Sequence, residues 1–322
     1  MNLATALRNF ESLTGKPVSI VDGEIQAYGV TVQDIIEDRI QPGYFLLTEL
    51  TDILHKDFAI TVETLDAESQ WDFMYQVMEE SHAFRQYCQA AHGNALLQLN
   101  ELDNETLEKI LSLLRRSASN LIIDVGCGNG YLTEFIAEAT QARVVGIDIS
   151  TYAIQLAVER TRHKRERLAF RVGNLNDVRR ILSDYPHADT IMAMEVLYAA
   201  TNLVETLRAF AACLSPKGHM LFIANQHINR LESEAHKLLP DRTDLSVALQ
   251  QQGLPFEVFD LTPHKVHYLE KSIGLLEEYK PAFEQEGNRD FWAARLTYDR
   301  RMLRRVQQGL TRRFLYLVSM EP

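Results

Sequence analysis

A doubly wound α/β fold on a seven-stranded, mostly parallel sheet is predicted by three observations. Short apolar runs alternate with longer helical ones between Leu121 and Ala224, the short runs are continuously apolar, and three close glycines join the first run to the helix after it. Alternating strand and helix signals βαβ units, and a strand covered by helices on both faces has no polar side to show.

Residues 1–80 form the first expected region, mainly helical and accessory to the rest. Leu3 to Leu13 has a helical period, and Val18 to Val21 before Asp22-Gly23 reads as a strand running into a turn. The second region, 81–322, holds the sheet. Its strands are Leu121–Val125, Arg143–Ile147, Leu168–Val172, Thr190–Met194 and Met220–Ala224, then Pro255–Leu261 and Arg313–Val318. Between the last two, residues 263–310 carry Val266, Leu269, Ile273 and Leu276, then Phe291, Tyr298, Met302 and Val306, mostly three or four apart. That spacing predicts two amphipathic helices, with Gly287-Asn288 as the break.

Composition removes several function classes. The chain has 322 residues, 46% of them apolar, and no run approaches the ~20 apolar residues that span a bilayer. The N-terminus lacks a basic segment followed by an apolar one, so the cytoplasm is expected and a membrane is not. Three scattered cysteines, Cys88, Cys127 and Cys213, agree with a reducing compartment. A formal charge of −11 repels phosphate backbones, and the basic clusters at 160–167 and 300–305 are interleaved or helical, as solvated faces are. No nucleic-acid partner is expected. The pair His264 and His267 lacks clustered acids, so no metal is expected either. The N-terminal region reads as a helical cap or a dimer contact, which leaves a homodimer open.

The chemistry is concentrated in Asp124-Val125-Gly126-Cys127-Gly128-Asn129-Gly130, directly after a strand and before a helix. Glycines there let a ligand touch backbone at a helix N-terminus, whose N–H groups suit polar or anionic groups. The loop alone does not separate a dinucleotide from S-adenosylmethionine. Asp148, twenty positions past Gly128, can accept hydrogen bonds from both ribose hydroxyls. Asp124 stands where a nicotinamide enzyme usually has an apolar residue.

In these segments the chain resembles the class I S-adenosylmethionine-dependent methyltransferases, and is most similar to bacterial small-molecule enzymes related to those of quinone biosynthesis. Val172-Gly173-Asn174-Leu175-Asn176-Asp177 resembles the family's adenine-contacting segment, although Asp is commoner at position 174. Asp189 to Tyr198 resembles its fourth motif, and Leu214 to His219 the turn before its fifth strand. The resemblance covers about residues 81–322 and implies a Rossmann-like fold. It implies S-adenosylmethionine as cofactor and S-adenosylhomocysteine as product, held by Asp124, Gly126, Cys127, Gly128, Asp148, Ile149, Asn174, Leu175, Asn176 and Met194. Ser81 to Gln98 resembles the helix and loop that close over the cofactor, adding Tyr87 and Gln98. Residues 263–310 resemble a substrate lid, with Phe84, Tyr268, Trp292 and Tyr298 as acceptor-facing aromatics. In the quinone enzymes an acid and a histidine follow the Met-Glu-x-Leu stretch; here Tyr198 and Ala199 do, so quinone is not carried over.

The expected function is methyl transfer to a small molecule by in-line displacement, with a lipophilic or natural-product metabolite as one acceptor class. Positioning and desolvation supply much of such a reaction, so no triad is required. Glu195 is the first candidate for orienting or deprotonating the acceptor, followed by Tyr198 and His227. The alternatives are a cofactor-binding partner or sensor without turnover and, less favoured by Asp124 and 174–177, a nicotinamide-dependent oxidoreductase.

Overall fold

A computed structural model describes residues 19–21, 24–26, 61–62, 67–116, 119–229 and 231–320. The helix expected at Leu3 to Leu13 lies outside them. Ser19–Val21 (β1), part of the strand read from the sequence, pairs antiparallel with Glu24–Gln26 (β2), and Thr61–Val62 (β3) pairs with β2; the turn expected at Asp22-Gly23 lies outside the described residues.

The larger sheet has the expected seven strands. They are Leu121–Val125 (β4), Arg143–Asp148 (β5), Leu168–Val172 (β6), Ala188–Met194 (β7), Leu214–His227 (β8), Phe256–Asp260 (β9) and Thr311–Ser319 (β10), in the order β6-β5-β4-β7-β8-β10-β9. From β6 to β8 all neighbours are parallel, and β10 runs antiparallel to both β8 and β9. The chain builds outward from β4 to β6 and then returns to add β7 on β4's other side. The crevice between β4 and β7 at the strands' C-terminal ends is where α/β sheets of this kind hold ligands.

Alternation along β4 explains its continuously apolar sequence. Ile123 and Val125 enter one buried cluster, while Ile122 enters the other. The first cluster packs the sheet on Leu203–Cys213 (α7) and Asp244–Gln251 (α9); the second packs it on Asn104–Arg116 (α3) and Tyr131–Thr140 (α4). Thr151–Arg160 (α5) follows β5, Val178–Leu182 (α6) precedes β7, and the short Leu231–Glu234 (α8) follows β8. The segment Leu214 to His219, expected as a turn, is instead the irregular start of β8. Leu214 pairs with Ala188 and His219 with Thr190, so four residues between them bulge out against one on β7.

Helices Thr262–Gln285 (α10) and Arg289–Gln307 (α11) match the expected insertion, with Gly287 at φ +75° in the break. They pack with Ala67–Glu80 (α1) and His82–His92 (α2) into a third apolar cluster containing Phe84, Tyr87, Tyr268, Phe283, Phe291 and Trp292. Ser81 separates α1 from α2 and caps α2 by accepting from the Phe84 N–H. No helix among the described residues is long and apolar enough to cross a membrane.

Candidate functional site

A cleft of 770 Å³ opens at the C-terminal ends of β4, β5 and β7. Its floor is the loop 124–130. Gly126 (φ +76°) and Gly128 (φ +54°) are left-handed, and a Cβ on Gly126 would stand 2.7 Å from Val196. Asp148, at the end of β5, accepts from the Gly128 N–H at 2.8 Å and the Ser150 N–H at 2.9 Å. The carboxylate thus holds the glycine loop in shape, and burial raises its pKa. Asp124 lies under the loop, 2% exposed, and accepts from Thr133 Oγ1 of α4 at 2.7 Å. Burial lifts its carboxyl to about 6.

The 173–176 segment forms the opposite wall. Asn174 accepts from the Asn176 N–H, and Asn176 accepts in turn from the Thr201 N–H at 2.8 Å, tying this wall to the loop after β7. Cys127 is buried, and burial pushes its thiol well up, which keeps it protonated and unreactive.

Among the expected cofactor residues, Asp124, Gly126, Cys127, Gly128, Asp148, Ile149, Asn174, Leu175, Asn176, Met194 and Gln98 all line this cleft. Tyr87 does not. Its hydroxyl is buried in the third cluster, 2.5 Å from Ser272 Oγ, and burial raises its pKa to about 12. Glu195 and Tyr198 line the cleft, whereas His227 pairs through Nδ1 with Thr311 Oγ1 at 2.9 Å, outside the lining; burial and neighbouring cations hold its ring neutral. The expected acceptor-facing aromatics are also elsewhere. Phe84 meets Phe291 edge-on, Trp292 donates to the Leu276 carbonyl at 2.6 Å, Tyr268 bonds His92 and Arg295, and Tyr298 lies beside Arg295.

Two aromatic residues that the sequence did not single out cover the cleft instead. Trp71 and Tyr75 of α1 stack with centroids 5.7 Å apart, and a Cβ on Gly128 would collide with the Tyr75 phenol. Helix α1 is tied down at both ends: Asp72 accepts from Ser150 Oγ and the Tyr152 N–H, and Glu79 accepts from Asn129. The expected boundary at residue 80 therefore falls after a helix that forms part of the cleft. The sequence held no marker for it, because the apolar period of 71–78 is the same whether a helix covers core or ligand.

Glu195 has φ +58°, uncommon for a residue with a Cβ, and its side chain is 5% exposed. Its Oε1 accepts from Arg313 Nε at 2.8 Å and Asn225 Nδ2 at 3.2 Å. Arg313 also donates to the Glu101 carbonyl, and Glu101 receives Lys265 Nζ on both oxygens at 2.5 Å. A buried chain of alternating charge thus runs from α10 to the cleft. Among the described residues no cluster of His, Cys, Asp and Glu could hold a metal ion.

A family model described as a methyltransferase domain matches residues 117–271. The chain is similar to the ubiquinone biosynthesis O-methyltransferase of Alkalilimnicola ehrlichii, 29% identical over 124 residues, which are 38% of this chain and 49% of that protein. The enzyme of the same name from Nitrosospira multiformis is 32% identical over 108 residues, 33% of this chain and 44% of its own. The chain therefore spans about half the length of the curated relatives it matches. A solved Haemonchus contortus phosphoethanolamine N-methyltransferase 2 superposes with TM-score 0.61 at 14% identity, covering 81% of this chain and 61% of that one. At that identity the likeness is one of fold.

Proposed function

We propose, for a chain whose residues 117–271 belong to a methyltransferase-domain family and whose sheet is that of the class I enzymes, that it transfers a methyl group from S-adenosylmethionine to a small molecule. The observation that carries this is the charge of the cleft. Three carboxylates, Asp124, Asp148 and Glu195, line it, and no Lys, Arg or His does so among the described residues. S-adenosylmethionine brings a sulfonium and an ammonium, which such a lining attracts; a dinucleotide brings a pyrophosphate, which it repels. The glycine cradle, and a buried Gln98 Oε1 with no donor among the described residues, also fit a ligand with close backbone contacts and N–H groups.

In this reading Asp148 serves the ribose, Asn174 to Asn176 the adenine, and Gly126, Gly128 and Gln98 the methionine end, with Met194 and Ile149 as apolar walls. The cofactor supplies an electrophilic methyl group on a good leaving group. The protein's part is to align the acceptor, exclude water and take a proton. That part is assigned to Glu195 and Tyr198, which follow β7 and line the cleft. Phe84, Tyr87, Tyr268, Trp292 and Tyr298 share an apolar cluster with the cleft residues Tyr75, Leu97 and Leu99, whereas His227 is given no part. Residues 1–80 are accessory except for α1, and a homodimer through them is compatible with this scheme. The net charge of −11 disfavours a nucleic-acid partner, and three scattered cysteines agree with a reducing compartment such as the cytoplasm.

Calorimetric titration with S-adenosylmethionine, S-adenosylhomocysteine and reduced nicotinamide dinucleotides tests the reading. Saturable binding of the two adenosyl compounds and none of the dinucleotides is expected. Binding of a dinucleotide alone overturns it.

A further inference from the structure

We propose that the acceptor presents an N–H or O–H at the atom to be methylated, carries no negative charge near it, and is received by the free oxygen of Glu195. This rests on the methyltransferase reading and narrows its substrate class. The starting observation is an imbalance of donors and acceptors. Glu195 Oε1 is fully engaged by Arg313 and Asn225, while Oε2 is buried without a hydrogen-bond donor among the described residues; so is Asn225 Oδ1 beside it. A buried carboxylate oxygen left without a donor carries a desolvation cost that a ligand donor would recover.

Charge makes the choice sharper. Arg313 does not offer its charge to a ligand, because Glu195 and Glu101 enclose it, and Glu101 is itself enclosed by Lys265. Lys265, Glu101, Arg313 and Glu195 sum to zero, and the cleft surface beyond them bears only carboxylates among the described residues. A phosphate, diphosphate or carboxylate next to the reacting atom would meet like charge with no counter-ion. An amine or hydroxyl meets an acceptor oxygen.

The reaction balances without a further reagent. The acceptor's lone pair forms the bond to the methyl carbon as the carbon–sulfur pair returns to sulfur. The proton of the N–H or O–H passes to Glu195 Oε2 and from there to solvent. Arg313 and Asn225, which never touch the acceptor in this scheme, act as positioning residues by fixing Oε1.

Sinefungin is the probe, because it carries an amine where the sulfonium methyl stands and so presents a donor at the acceptor site without any acceptor being known. We expect it to bind at least tenfold more tightly than S-adenosylhomocysteine, and the ratio to fall to near one in Glu195→Gln, which puts an amide NH₂ in place of Oε2. Equal affinities in the unaltered protein overturn the proposal, as does a tenfold ratio that persists in a folded Glu195→Gln. Inorganic pyrophosphate titrated into the S-adenosylhomocysteine complex should give no saturable heat, and saturable binding overturns the exclusion of anions whether or not the variant folds. If S-adenosylhomocysteine itself does not bind, the methyltransferase reading fails first, and this one falls with it.

Discussion

Asp124 is buried under the glycine loop with Thr133 as its hydrogen-bond donor, and its carboxyl titrates near 6 rather than near its ordinary 3.8. A folded pKa raised above the unfolded one means that the folded state binds the proton more tightly. The group's contribution to stability is therefore fully present below about pH 4 and is lost as pH rises through about 6. The gap of about two pKa units corresponds to roughly 3 kcal/mol. Asp124→Asn should remove that loss: we expect the variant to be about 2–3 kcal/mol more stable than the unaltered protein at pH 8, with the gain vanishing at pH 4, read by denaturant unfolding at both. The same change should weaken S-adenosylmethionine, whose positive charges are drawn by the ionised form. Asp148→Asn tests the neighbouring carboxylate. It keeps the size but loses a charge-assisted acceptor, and calorimetry should show S-adenosylhomocysteine binding weakened by ~10–100-fold, on the scale of one hydrogen bond to a charged group. Both acids were legible in the sequence because Asp124 stands in the strand just before the glycines and Asp148 is set at its distance from them by one helix and the next strand. Arg313, Glu101 and Lys265 were not, since they are far apart in the chain and meet only where β10, the segment before α3 and α10 come together.

At the scale of elements, β4, β5 and β6 could be read to within a residue from their short apolar runs, whereas β8 extends at both ends beyond the Met220–Ala224 run that marked it. The irregular start of β8 was expected as a turn from the resemblance of Leu214 to His219 to the family's segment there; Pro216 and Gly218 lie within the break in the ladder, although Leu214 pairs with Ala188 before the bulge. What the sequence did not convey was the position of α1. A helix's period gives its apolar face and says nothing of what that face covers. Asp72 holds α1 to the N-terminus of α5 through Ser150 and the Tyr152 N–H, an arrangement comparable to a helix cap. Asp72→Ala should loosen the cover without touching the floor of the cleft. We expect the dissociation rate of S-adenosylhomocysteine to rise about tenfold, for a loss of ~1–1.5 kcal/mol, in stopped-flow experiments that follow Trp71 emission. An unchanged rate would show that α1 does not restrain the ligand.

For the molecule as a whole, helices α10 and α11 have the place in the chain expected of a lid, yet their buried faces are spent on α2 and on each other. Phe283, Phe291 and Trp292 form an interior there, and Lys265 and Arg313 join that interior to the sheet through Glu101. Breaking the join should damage the fold and not only the site. Lys265→Met leaves Glu101 with less than its full share of counter-charge in a fully buried position, and a loss of about 3–5 kcal/mol in unfolding free energy is expected. The cover of the cleft comes instead from α1, through Trp71 and Tyr75. Hydrogen exchange separates the two arrangements. Saturation with S-adenosylhomocysteine should slow exchange in 67–80, 124–130, 173–176 and 194–199, which line the cleft or carry residues that do, while 262–307 keeps its rate because none of its residues lines it. Strong new protection confined to 262–307 would mean that these helices close on the ligand and that α1 is a bystander. Protection of both would mean that the cofactor is held from two sides, with the buried Glu101 chain carrying the coupling between them.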